Sequence, residues 1–179
     1  MAMDTIGQPE ATEYAPYYER YVALVRGGDI LKTLEEQAEA VRRSLHALPE
    51  ARAAFRYAPG KWSVREVIGH WTDGERVLAY RTLAFARGEK AALPAFDENE
   101  YARTSGHDSI PLAGLVEEFS AVRSATLLLL RHLPPQTWNR VGVANGKPVS
   151  VRALAFIMAG HVAHHVAMLH DRYVVAPGR

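Results

Sequence analysis

Apolar residues recur every three to four positions through four long stretches of the chain, and no comparable alternation marks a sheet. That spacing places one buried stripe on each of four helices. Asp29 is a candidate N-cap for the first, which runs to about Leu48 with Ile30, Leu31, Leu34, Ala38, Val41 and Leu45 on its inner face, and Pro49 closes it. The second opens on the capping-box pattern Ser63-Val-Arg-Glu66 and runs to about Arg87, where Gly88 stops it. The third starts between Ser109 and Pro111, continues to about Leu133 and ends at Pro134-Pro135. Ser150 caps the last, which reaches about Tyr173. Asn145-Gly146 between β-branched residues predicts a small hairpin before it. The pattern specifies an all-α four-helix bundle over 29–175, with residues 1–28 as a Tyr-rich arm packing on it and a frayed tail over 176–179. Residues 89–108 read as a long loop.

Composition removes several functions. Lys plus Arg number 21 and Asp plus Glu 20, a net charge of +1 that argues against nucleic-acid binding. The absence of cysteine excludes disulfides, thiolate nucleophiles, iron–sulfur clusters and cysteine-type zinc sites. No apolar run approaches the ~20 residues of a bilayer span, and the first residues lack the pattern of a signal peptide. The expectation is therefore a cytoplasmic protein with no membrane and no nucleic-acid partner.

Histidine is the informative residue: there are 8, three of them in His161-Val-Ala-His164-His165. On a helical wheel with His161 at zero, His165 falls at about +40° within the stripe of Leu154, Ile157, Met158 and Met168. His164 falls at about −60°, at its edge, and His170 at about 180°, toward solvent. The pair His161 and His165, one turn apart on one face, suits a shared metal ion. On the second helix His70 also faces inward, and Gly74 one turn on removes a side chain beside it. Asp73 and Glu66 lie to one side, where either could accept from an imidazole N–H. Histidines hydrogen-bonded inside a core would give the same pattern. The segment lacks the Glu of the zincin motif, so that metalloprotease chemistry has no support.

At these residues the chain resembles the DinB-like (YfiT-related) superfamily of metal-dependent four-helix-bundle proteins, over nearly its whole length. The matching stretches include Tyr14-Ala-Pro-Tyr-Tyr-Glu-Arg-Tyr21, Lys61-Trp-Ser-Val-Arg-Glu-Val-Ile-Gly-His70 and Gly160-His-Val-Ala-His-His165. The resemblance implies an up-down-down-up bundle, a homodimer, and one divalent metal held by His70, His161 and His165. Three imidazoles with an open position are a catalytic ligand set; zinc is the first expectation, with nickel, manganese or iron as alternatives. The implied function is a metal-dependent enzyme that activates a water or a small thiol, of hydrolase or thiol S-transferase type, on a small-molecule substrate. A non-enzymatic metal-binding or small-molecule-binding stress-response protein is the alternative. Asp73 and Glu75 are candidate proton acceptors. Arg81 is a candidate for a substrate anion, or else a partner of Asp97, Glu98 or Glu100. Trp62 and Trp71 read as packing residues. Phe156, on the far side of the last helix at about −140°, reads as an interface residue.

Overall fold

The computed structural model describes residues 6–173, so the expected tail over 176–179 and the end of the bundle unit lie outside the described residues. Four long helices form where the periodicity places them: α1 (Ile30–His46), α2 (Val64–Ala86), α3 (Leu112–Arg131) and α4 (Val151–Tyr173). The Asp29 carboxylate accepts from the Leu31 and Lys32 amides at 2.9 and 3.2 Å. Ser63 and Glu66 close the capping box in both directions, at 3.1 and 2.8 Å. Each cap supplies partners for orphan amides that would otherwise fray the first turn.

Cross-helix pairs give the topology. Leu31 at the start of α1 lines one hollow with Leu130 and Arg131 at the end of α3, while Val41 and Leu45 near the end of α1 cluster with Leu112, Leu115 and Phe119 in the first half of α3, so α1 and α3 are antiparallel. Trp71 packs on Phe119 and Glu75 pairs with Arg123, so α2 and α3 run parallel. His70 meets His165 and Gly74 meets His161, which makes α2 and α4 antiparallel. The bundle is therefore up-down-down-up.

Parallel neighbours cannot be joined by a tight turn, and the crossover between α2 and α3 occupies residues 87–111. It is more ordered than a plain loop. A helix forms at Glu98–Thr104, N-capped by Asp97, and a helical turn follows at His107–Ser109. Leu93 hydrogen-bonds to Val143 and Asn145, tying the crossover to the hairpin. That hairpin, β1 (Val141–Ala144) and β2 (Lys147–Ser150), turns at Asn145-Gly146, where both residues adopt positive φ as a two-residue turn of this type demands.

Before α1, short helical turns between Ala11 and Val25 lie along α4. The approach is close at Gly160, where a Cβ would stand 2.1 Å from the Tyr21 carbonyl oxygen. Glu13 anchors this segment by ion-pairing with Arg152 and accepting from Ser150 at 2.6 Å. As a result the first half of α4, residues 151–162, is enclosed on nearly every side. Phe156, expected on an outer face, is 1% exposed and packs in the core with Tyr14, Tyr21 and Val22. The wheel treated one stripe as buried, and the N-terminal segment buries the opposite one. By length and composition alone α4 could cross a membrane; its apolar character is accounted for by the 67% of that stretch buried inside the bundle.

The bundle core also contains a charge pair that the apolar pattern does not announce. Arg123 and Glu75 have side chains 0% and 1% exposed, joined by two bonds of 2.6 Å. Gln37 and the Leu34 carbonyl take another guanidinium nitrogen at 3.0 Å each. Truncating one partner of such a pair leaves a buried charge, which costs about 3–5 kcal/mol, whereas removing both with apolar side chains costs far less. Arg123→Leu is accordingly expected to lose stability in urea denaturation, and Glu75→Leu/Arg123→Leu to recover most of it. A double variant as unstable as the single one would contradict this role.

Candidate metal centre

Three helical turns deliver three imidazoles to one point. His161 and His165 stack one turn apart on α4, and antiparallel packing sets His70 of α2 against them. His161 Nε2 lies 3.0 Å from His70 Nε2 and 3.1 Å from His165 Nε2. All three ligand atoms fall within 4.8 Å of one another, and all three residues are buried. Gly74 makes room for this: a Cβ there would stand 3.1 Å from His161 Cε1. The Trp62 ring covers His70 at 4.6 Å between centroids, and Tyr21 packs edge-on against His161 at 5.4 Å.

Burial determines the protonation state. Desolvation, with a smaller electrostatic contribution from the neighbouring His107, lowers the His70 pKa to about 4. Desolvation and the neighbouring His70 lower that of His165 to about 3. Desolvation, with His165 and His70 beside it, takes His161 well below its ordinary value. All three are neutral at pH 7, so each ring has one nitrogen lone pair. Three nitrogens bound to one ion at ~2.0–2.1 Å would sit about 3–3.4 Å apart, close to the two spacings of 3.0 and 3.1 Å. Hydrogen bonding is a poorer account, because His161 Nε2 would have to serve two neighbours as a shared donor or acceptor. The residues fit a divalent cation on this donor chemistry. His165 Nδ1 has no hydrogen-bond partner within the described fold.

A narrow cleft of ≈ 70 Å³ opens onto His70 and His161, with Tyr21, Leu78, Arg81 and Phe96 among its walls. A larger hollow of ≈ 250 Å³ lies elsewhere, between the start of α1 and the end of α3, away from the imidazoles.

The other expected site residues separate. Arg81 lines the cleft and donates to the Pro94 carbonyl at 2.8 Å rather than pairing with Asp97, Glu98 or Glu100. Glu75 stands about 140° around α2 from His70 and is committed to Arg123. Asp73 meets Arg76 at 3.4 Å and His107 at 4.0 Å. Neither carboxylate is among the residues lining the cleft. Glu66 is used by the cap and by Arg56. His164 is partly buried against Tyr21 and His165, and His170 is exposed beside Asp171. Trp71 packs in the core as expected.

Two contributors escaped the sequence reading. Tyr21 covers the site because the N-terminal segment docks on α4, a contact with no local signature. His107 nests on Gly69, where a Cβ would stand 2.0 Å from its Nδ1. The glycine inside a helix was the available signal.

Comparison with known proteins follows the same lines. The family model of the DinB superfamily matches residues 33–169. A protein of Geobacillus thermodenitrificans named "Putative metal-dependent hydrolase" is 24% identical over 174 residues, 93% of each chain. A relative of similar name from Oceanobacillus iheyensis is 22% identical over 139 residues, 76% of this chain and 79% of its own. The structure of YfiT from Bacillus subtilis, described as "a probable metal-dependent hydrolase with an unusual four-helix bundle topology", aligns with a TM-score of 0.73 at 17% identity, over 95% of both chains. A mycothiol-dependent maleylpyruvate isomerase aligns with a TM-score of 0.64 at 15% identity, over 76% of this chain and 58% of that one. Both likenesses concern the fold.

Two outcomes are expected. In elemental analysis of untagged protein, His161→Ala and His165→Ala lose stoichiometric metal while His170→Ala retains it; equal loss from all three contradicts the face assignment. In metal-free protein the lowered pKa values carry a pH dependence. Below the unfolded value of about 6.5 the unfolded chain takes up protons that the folded site refuses, so stability is present above that pH. It declines as pH falls from 6.5 through about 4 and toward about 3. The melting temperature of chelated protein is therefore lower at pH 5 than at pH 7, by less in His165→Gln. An unchanged difference in that variant would contradict the assignment.

Proposed function

The chain belongs to the DinB superfamily, and from that premise we propose that it is a metal-dependent enzyme acting on a small molecule, with one divalent ion held by His70, His161 and His165. The observation that carries this reading is the convergence of three neutral, buried imidazoles beside a cleft, with no fourth protein donor in the cluster among the described residues. A structural site is normally closed by four protein ligands, whereas three leave a position for a reactant. Zinc suits the all-nitrogen donor set, with nickel, manganese and iron as further candidates. When bound, such an ion supplies Lewis acidity, lowering the pKa of a coordinated water to about 7 or stabilising a coordinated thiolate.

The protein's own contribution is orientation and exclusion of water. The helix pair sets the imidazole geometry, and Trp62 and Tyr21 shield it. Hydrolysis is the first reading, supported by the names of the two curated relatives. Thiol transfer is the second, supported by a specific observation: the lone carboxylate lining the cleft among the described residues is Glu98, which is exposed. A hydrolase gains from a positioned acid or base near the leaving group, while a thiolate nucleophile already deprotonated at the ion needs none to attack. A homodimer belongs to this reading through the resemblance alone, now that Phe156 is accounted for by the core.

The test is turnover by zinc-loaded protein of an activated ester without thiol and of an electrophilic chlorobenzene with cysteine. Chelator-sensitive ester hydrolysis supports the first reading, and strictly thiol-dependent conjugation the second. Rates equal to those of His161→Ala in both assays would contradict an enzymatic role.

A further inference from the structure

Two arginines are buried among the described residues, and they are treated differently. Arg123 has its fork closed by Glu75, Gln37 and the Leu34 carbonyl. Arg81 is 4% exposed, yet its one hydrogen bond is to the Pro94 carbonyl, and it has no carboxylate ion-paired with it among the described residues. A guanidinium remains charged at any physiological pH, and a buried charge without a counter-charge is strongly disfavoured. None of its nitrogens is among the sealed, unpartnered polar atoms of the core. Arg81 lines the same cleft as His70 and His161.

We propose that Arg81 recognises a carboxylate on the small molecule that this cleft accepts. Guanidinium and carboxylate match as planar two-pronged partners, and the narrow cleft favours the flat group over a tetrahedral phosphate. Arg81 stands 81 − 70 = 11 positions beyond His70 on α2, about 16 Å of helix rise between the two backbones, and its long side chain leans back toward the helix N-terminus and His70, which shortens the span by several Å. The carboxylate and the group presented to the imidazoles are therefore opposite ends of an extended molecule. Its apolar middle is matched by Tyr18, Tyr21, Leu78, Phe96 and Ile157. Glu98, exposed and also lining the cleft, opposes a second negative charge. What happens at the imidazole end rests on the function proposed above; recognition by Arg81 does not need the ion.

The experiment separates the two. Zinc-loaded full-length protein is titrated with 6-mercaptohexanoate and 6-mercaptohexanol, and metal-free protein with hexanoate, hexanol and hexyl phosphate. Binding is followed by calorimetry and by the Arg81 Nε–H resonance. The carboxylate is expected to bind at least about tenfold tighter than its alcohol in both forms. The Arg81 resonance should shift with it in the wild type, a readout that requires no variant. Arg81→Met removes the preference and Arg81→Lys keeps part of it, with metal content unchanged in both. Equal affinities, an unmoved Arg81 resonance, a preference that survives Arg81→Met, or tighter binding of hexyl phosphate would each overturn the proposal. If zinc does not load but metal-free protein still selects hexanoate through Arg81, the carboxylate subsite stands and the metal reading falls.

Discussion

Desolvation of three converging imidazoles is the interaction around which this molecule is arranged. In water each ring would share its charge state with solvent near neutral pH. Held together between α2 and α4, the rings refuse protons and present lone pairs to a common point. That state opposes folding at mildly acidic pH, so other features of the fold have to maintain it. A cation with an open coordination position explains why such a cluster would be kept.

The supporting features come from three separate regions. Gly74 admits the His161 ring, and Trp62 roofs His70. The N-terminal segment, pinned by Glu13 to Arg152 and Ser150, lays Tyr21 over His161 and seals the outer side of α4. The buried Arg123–Glu75 pair links α3 to α2 one helical turn and more from His70, and its geometry is incompatible with a slip of one helix past the other. Arg81, equally buried but without such a partner, is left available to the cleft.

Much of this was legible in the sequence because it is local. Caps at Asp29 and Ser63, the Asn145-Gly146 turn and the inward faces of His70, His161 and His165 all follow from helix and turn geometry within a few residues. The contacts that were not legible are those between distant segments. Phe156 looked outward because nothing near it in sequence shows that residues 11–25 lie across α4. Arg123 shares a face of α3 with Phe119, Thr126 and Leu127, but its carboxylate partner is 48 residues away. Glu75 illustrates a reading that angle alone would have corrected, since a residue about 140° from His70 cannot share its face. The order in the crossover, with its helix at Glu98–Thr104, follows from Asp97 as a cap rather than from apolar period.

Zinc K-edge X-ray absorption on untagged, zinc-loaded protein tests the central claim most directly. The account predicts a shell of three imidazole nitrogens at ~2.0–2.1 Å with the remaining position filled by a light, non-protein donor that an added thiol replaces with sulfur at ~2.3 Å. A shell of four protein donors that added thiol leaves unchanged, or fewer than three imidazoles, would contradict an open three-histidine centre.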